Sequence, residues 1–193
     1  MTRSGSNDEL ELARRLGQRD AGAMRTLYER YAGYLTAVCS RYVICDEDIK
    51  DVLQESFIKI FTSADRFDYR GEGSLKAWVT RVVVNESLGF LKRSEKFADI
   101  LYEEELPDVA EEEEGPSVSD VPPEVVHELI RQLPAGYRAV FNLFVMEKKS
   151  HKEIAQTLHI KENSSASQLF KAKELLARKI KEYNTMNYGR AVD

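Results

Sequence analysis

Between residues 99 and 124 the chain carries 11 acidic residues and no basic one, with Gly115, Pro116, Pro122 and Pro123 among them. Such a stretch cannot bury enough apolar surface to offset its ordering entropy, and its like charges extend it. Folded structure is therefore expected on either side of it, as two bodies on an acidic, flexible tether. The run also accounts for the net charge of −5: residues 1 to 98 hold 16 basic and 15 acidic residues, and residues 125 to 193 hold 12 and 7. The flanks are neutral to basic, so the acidic pI of the whole chain does not argue against nucleic-acid binding. No apolar run approaches the roughly 18 residues of a membrane-spanning helix, and no signal-peptide core opens the chain. A cytoplasmic protein without membrane insertion is expected.

In the C-terminal body, Ser150 followed by Glu153 has the spacing of a capping box and predicts a helix start. Ile154, Ala155 and Leu158 recur at helical spacing. The polar trio Lys161, Glu162 and Asn163 interrupts the pattern before a second helix carrying Leu169, Ala172 and Leu176. Two short helices about a tight turn form a helix-turn-helix unit. From Ile160 to Lys181 there are six basic and two acidic residues, available for phosphate contacts. Ser164, Ala166, Ser167, Phe170 and Lys171 are short or flat enough to enter a major groove. An ordinary helical hairpin with a solvated basic face would carry the same pattern. Pro123 suits the first turn of a preceding helix that carries Val125, Val126, Leu129, Ile130 and Leu133. Tyr137, Val140, Phe141, Phe144 and Val145 carry another, to Glu147.

In the N-terminal half, residues 1 to 8 read as a disordered start and Leu10 to Leu16 as a short helix. Asp20 can cap a longer one whose core stripe is Met24, Leu27, Tyr28, Tyr31, Leu35, Val38 and Tyr42. Asp46, Glu47 and Asp48 open the next helix with the sign its dipole favours. Ile49, Val52, Leu53, Ser56, Phe57, Ile60 and Phe61 form its buried face. Asp51, Gln54, Glu55 and Ile58 share a second face at i, i+3, i+4, i+7. That mixed face suits docking to a protein, or is solvated with one stray isoleucine. A calcium site at Asp46, Asp48 and Asp51 lacks further ligands and a turn glycine, and no metal or other cofactor is expected. Cys39 and Cys45, six apart on a predicted helix, point too far apart for a disulfide.

The loop Asp65 to Gly73 holds two glycines, two aromatics and two arginines, a composition suited to an unstacked base. Ser74 is expected to cap a helix to about Arg93, with Leu75, Trp78, Val79, Val82 and Val83 inward. Thr80, Arg81, Val84, Asn85, Leu88 and Lys92 are placed opposite. Asn85 could pair with a base edge or be a hydrogen-bonded structural asparagine. Residues beyond Tyr183 read as a loose tail.

Three runs in order, Asp51-Val-Leu-Gln54-Glu55-Ser-Phe57, Gly73-Ser-Leu-Lys-Ala-Trp78-Val-Thr-Arg81-Val-Val-Val-Asn85, and Leu133-Pro134 with Glu153-Ile-Ala155, resemble an extracytoplasmic-function sigma factor of bacterial RNA polymerase. The resemblance covers roughly Asp20 to Arg93 and Pro123 to Lys181. It implies an all-α chain of two small helical domains: a segment 1–19, a sigma region 2 bundle over 20–98, an acidic linker over 99–122, a sigma region 4 helix-turn-helix over 123–183 and a tail over 184–193. It implies no catalysis. Asp51, Gln54, Glu55 and Ile58 would dock on the clamp helices of the largest polymerase subunit. Phe67, Tyr69 and Arg70 would lie in the loop that captures a flipped base of the minus-ten promoter element, with Arg81, Asn85, Lys92 and Arg93 holding its bases and phosphates. Ser164, Ser167, Phe170 and Lys171 would read the minus-thirty-five element, with Lys173 on phosphate, and that domain would sit on the polymerase flap. The linker would thread toward the RNA exit path. An anti-sigma inhibitor is a candidate partner, with the Ile58 face a candidate contact. The chain departs from the family pattern at His159, where the turn usually has glycine, at Ala166, often Arg or Lys, and at Lys171 and Lys173, which replace arginines and so give up bidentate contacts.

Two other functions fit parts of the sequence. A stand-alone helix-turn-helix regulator should bind duplex DNA tightly by itself and dimerise, but no surplus amphipathic helix for dimerisation is evident. The other is a helical enzyme or adaptor in which residues 20 to 93 bind a protein or small molecule; its enzyme version lacks a nucleophile-base pair, a glycine-rich phosphate loop or a metal set, so no reaction can be written for it.

Overall fold

Asp20 starts the first long helix by local chemistry alone. Its carboxylate accepts from the Ala23 backbone N–H at 2.6 Å and from Arg15 at 2.9 Å. Those bonds, the Ala23 one foremost, hold its pKa below the usual carboxylate range. The computed structural model describes residues 3–93 and 121–188, and every regular element among them is helical, as the all-α expectation requires. The chain divides into two units, Met1–Phe90 and Leu91–Asp193. Most of the expected linker, residues 99–120, lies outside the described residues.

In the N-terminal unit, α1 spans Arg3–Gly17, α2 Ala21–Cys39, α3 Asp46–Ser63 and α4 Ser74–Lys92, with a 3₁₀ turn at Ala64–Arg66 between the last two. The expected disordered start is helical from Arg3 onward, and α1 has a packing reason to form: Leu12 and Leu16 are buried. Leu27, Leu35, Val38, Tyr42, Ile60, Leu75, Val79 and Val83 are wholly buried and make the core. Tyr28 does not join them. One residue on from Leu27 it is turned about 100° out of the buried arc, is 54% exposed and lays its ring against Phe57, centroids 5.0 Å apart. Val84 and Leu88, expected on the outer side of α4, are buried. Cys39 and Cys45 are not on one helix: Cys39 ends α2, Cys45 precedes α3, and both are free thiols.

In the C-terminal unit, α5 spans Pro123–Arg131, α6 Ala135–Val145, α7 His151–Leu158 and α8 Glu162–Tyr188. Pro123 does stand in the first turn of α5, where its missing N–H leaves nothing unsatisfied. The carbonyls at the far end of α5 are met from inside: Arg138, 3% exposed, donates to Arg131 O at 3.0 Å and Leu133 O at 2.7 Å. Burial, and then the charge of Arg131, draw its pKa down to about 10, so it remains a cation at neutral pH. Helix α6 stops at Val145, short of Glu147, because the backbone turns through Lys148 at φ 55° and Lys149 N bonds back to Leu143 O. Helix α8 begins at Glu162, so Glu162 and Asn163 belong to its first turn, and it continues through the expected tail as far as Tyr188.

Candidate nucleic-acid interface

The helix-turn-helix is assembled by three local devices. At the start of α7, Ser150 Oγ accepts from Glu153 N while the Glu153 carboxylate accepts from Ser150 N at 2.9 Å and Ser150 Oγ at 2.7 Å. These bonds hold the Glu153 pKa below its ordinary value. At its end, His159 takes the left-handed conformation, φ 59° and ψ 44°, and the backbone N–H groups of His159 and Ile160 both return to Ala155 O. The helix pair is then joined by His151, whose Nδ1 lies 3.0 Å from the buried Ser165 Oγ and whose ring stacks on Phe144 at 4.9 Å.

Successive residues of α8 turn by about 100°. Ser165, Leu169, Ala172 and Leu176 form the buried arc. Ser167 and Phe170 lie opposite it, partly exposed, with Ser164 and Lys171 on one flank and the exposed Lys173 on the other. Lys171 Nζ stands 5.8 Å from the centroid of the Tyr137 ring. Asn163, not singled out from sequence, shares the outward arc with Ser167 and Phe170. Asn163 belongs to the helix and not to the turn that the polar trio suggests.

In the N-terminal unit, Asp51, Gln54, Glu55 and Ile58 are all exposed and share one face of α3, with Ile58 48% exposed. Lys59 next to it bonds Glu86 of α4 at 2.5 Å. On α4, Arg81 and Asn85 stand one turn apart and exposed; Lys92, the last residue of the helix, and Arg93 after it are exposed and fall past the unit boundary at Phe90. Asn85 is exposed, and no side-chain hydrogen bond of its own is found among the described residues.

The loop between α3 and α4 has a more specific construction than its composition implies. Phe67 packs its ring against Trp78, centroids 4.9 Å apart, and acts as an anchor with one face covered. Tyr69 is partly exposed; Arg70 is exposed and pairs with Asp68 at 3.2 Å. Gly71 and Gly73 take φ of 115° and 83°, where a side chain would be strained. Ser74 is not a simple cap: its Oγ donates to Gly71 O at 2.6 Å and accepts from Arg70 N at 3.2 Å, closing the loop on itself. The cap comes from α1. The Glu9 carboxylate, 7% exposed, accepts from Gly73 N and Leu75 N, each at 2.8 Å. No sequence signal marks Glu9, since its partners lie more than 60 residues away.

Among the described residues no helix is long and apolar enough to cross a membrane, and no group of three His, Cys, Asp or Glu side chains could hold a metal. The Sigma-70 region 2 family matches residues 27–97 and the Sigma-70, region 4 family matches residues 124–176. The ECF RNA polymerase sigma-E factor of Haemophilus influenzae is 31% identical over 183 residues, covering 88% of this chain and 93% of that protein. The factors of the same name from Salmonella typhimurium and Escherichia coli are 28% and 27% identical over 179 residues, covering 88% of this chain and 92% of each. A solved structure of CnrH in complex with the cytosolic domain of CnrY is 20% identical, with a TM-score of 0.48, covering 89% of this chain and 96% of that one. With both sigma regions matched in order, and a relative above 30% identity along nearly its whole length, the chain belongs to the extracytoplasmic-function sigma factors of bacterial RNA polymerase.

Proposed function

We propose that this sigma factor, which directs core RNA polymerase to specific promoters and assists their opening, does so through three exposed surfaces. The α3 face docks on the polymerase clamp helices, with Ile58 supplying apolar area inside the polar rim of Asp51, Gln54 and Glu55. An anti-sigma inhibitor that covered Ile58 would displace the polymerase, which makes the face a candidate contact for both.

On the opposite task, Arg81 and Asn85 with Lys92 and Arg93 hold the minus-ten element, and Tyr69 and Arg70 meet the base that leaves the stack. In the C-terminal unit, Ser164, Ser167, Phe170 and Lys171 face the minus-thirty-five element and Lys173 its phosphates. Each contact set is small. Fixing both on one polymerase turns two weak contacts into one selective event. The chain itself contributes no bond-making chemistry.

The observation that carries this reading is the exposed apolar and polar face on α3 beside a separate polar face on α4 in one unit, together with a capped helix-turn-helix in the other. A stand-alone regulator is not favoured, because it has no use for the matched region 2. The test is assembly of the purified chain with core polymerase, then run-off transcription on a pooled promoter library. A stable complex and enrichment of two spaced elements are expected; absence of a complex would sink the proposal.

A further inference from the structure

The position of Glu9 gives α1 a task. Its carboxylate is almost wholly buried, and its two oxygens are shared between Gly73 N and Leu75 N at 2.8 Å each. These are N–H groups at the start of α4 that have no partner within the helix. A carboxylate there is also favoured by the helix dipole.

The same contact fixes one end of the loop. Phe67 on Trp78 holds the near end, Ser74 on Gly71 O and Arg70 N closes the middle, and Glu9 on Gly73 N holds the far end. Tyr69 and Arg70 lie in the chain between these points, with Arg70 paired to Asp68. Gly73 at φ 83° has no side chain to hinder other conformations. The turn is otherwise held by α4 itself, through Ser74 N on Gly71 O at 3.1 Å and Ala77 N on Gly73 O at 2.9 Å; the Glu9 carboxylate is the contact that reaches it from α1.

We infer that Glu9 is a positioning residue for minus-ten recognition: through the two backbone N–H groups it presents Tyr69 and Arg70 in the shape that receives the extruded base. This rests on the loop role proposed above. It makes α1 part of the promoter-reading device without any contact to DNA.

The test uses the full chain assembled with core polymerase. Opening is read by permanganate reactivity on promoters carrying each of the four bases at every minus-ten position. Glu9→Gln is the first variant. It keeps size and one acceptor but sets an NH₂ against the second N–H. Glu9→Ala is the second, and Tyr69→Ala with Arg70→Ala provides the loop control. The expected result for Glu9→Gln is loss of roughly tenfold in preference at the loop-contacted base, equivalent to about 1.4 kcal/mol, with core binding kept and a thermal transition that stays cooperative but moves down a few degrees, because one buried N–H loses its acceptor. If the loop control flattens base preference and neither Glu9 variant does, the positioning role is overturned. An equal fall on all promoters together with lost core binding would make Glu9 merely structural, which also overturns it. If the loop control itself leaves base preference intact, the loop proposal fails and this inference with it.

Discussion

Replacing His159 by glycine should stabilise the C-terminal unit. His159 closes α7 at φ 59° and ψ 44°, a conformation costing a residue with a Cβ roughly 1–2 kcal/mol and glycine almost nothing. The greater freedom of glycine in the unfolded chain offsets about 0.5–1 kcal/mol of that gain. The imidazole is exposed, so little packing is lost with it. The net gain is therefore about 0.5–1 kcal/mol, which for a unit of this size raises the melting temperature by about 2–8 °C. Thermal unfolding of the full chain separates the two units, because the one tryptophan, Trp78, lies in the N-terminal one. Its fluorescence transition should stay in place while helical circular dichroism shows the other transition moving up. His159→Ala keeps the Cβ and should show no gain. A glycine variant no more stable than wild type, or a gain shared by alanine, would refute the argument that strain resides in this turn.

Three further outcomes are expected. Ile58→Glu alters a half-exposed position, so stability should change by no more than about 0.5 kcal/mol, whereas affinity for core polymerase should fall by about 2 kcal/mol if Ile58 is an anchor; an unchanged titration would remove α3 from the docking surface. Asn85→Ala and Lys171→Ala should act on different promoter elements, each costing about 1–3 kcal/mol when a base contact is lost. Swapping consensus and non-consensus elements in run-off assays tests this, and a uniform effect on both elements would contradict it. Because its bonds to Ser150 depress the Glu153 pKa, the helix-start contribution is complete above the ordinary carboxylate pKa. It is lost as pH falls through the lower folded value. An acid titration of Ser150→Ala should therefore show a weaker loss of stability in that window than wild type does.

Features decided by neighbours in sequence were legible, and those decided by distant partners were not. Asp20 with Ala23 and Ser150 with Glu153 cap their helices within one turn, so the residue pattern alone places the helix starts. The αL turn at His159 was also foreseeable, because a glycine position in the family pattern marks a backbone need. Periodicity located the buried stripes but not their widths: it admitted Tyr28 and excluded Val84 and Leu88, which differ from the true edge of the arc by a single step of rotation. Glu9 is the clearest failure. A glutamate in an amphipathic helix looks solvated until the fold brings α4 to it.

The length of α8 changes how its charge is to be counted. At 1.5 Å per residue its 27 residues make a rod of about 40 Å. Arg178, Lys179 and Lys181 stand about 17–21 Å along that rod from Ser167, and Lys179 is engaged with Gln132 at 3.0 Å. The cations of the second helix are thus two stations and not one patch. Lys171 and Lys173, with Lys161 just ahead of the helix, neighbour the turns proposed to face the groove, so binding at the upstream element is expected to release about half the counterions that a tally of residues 160–181 would imply.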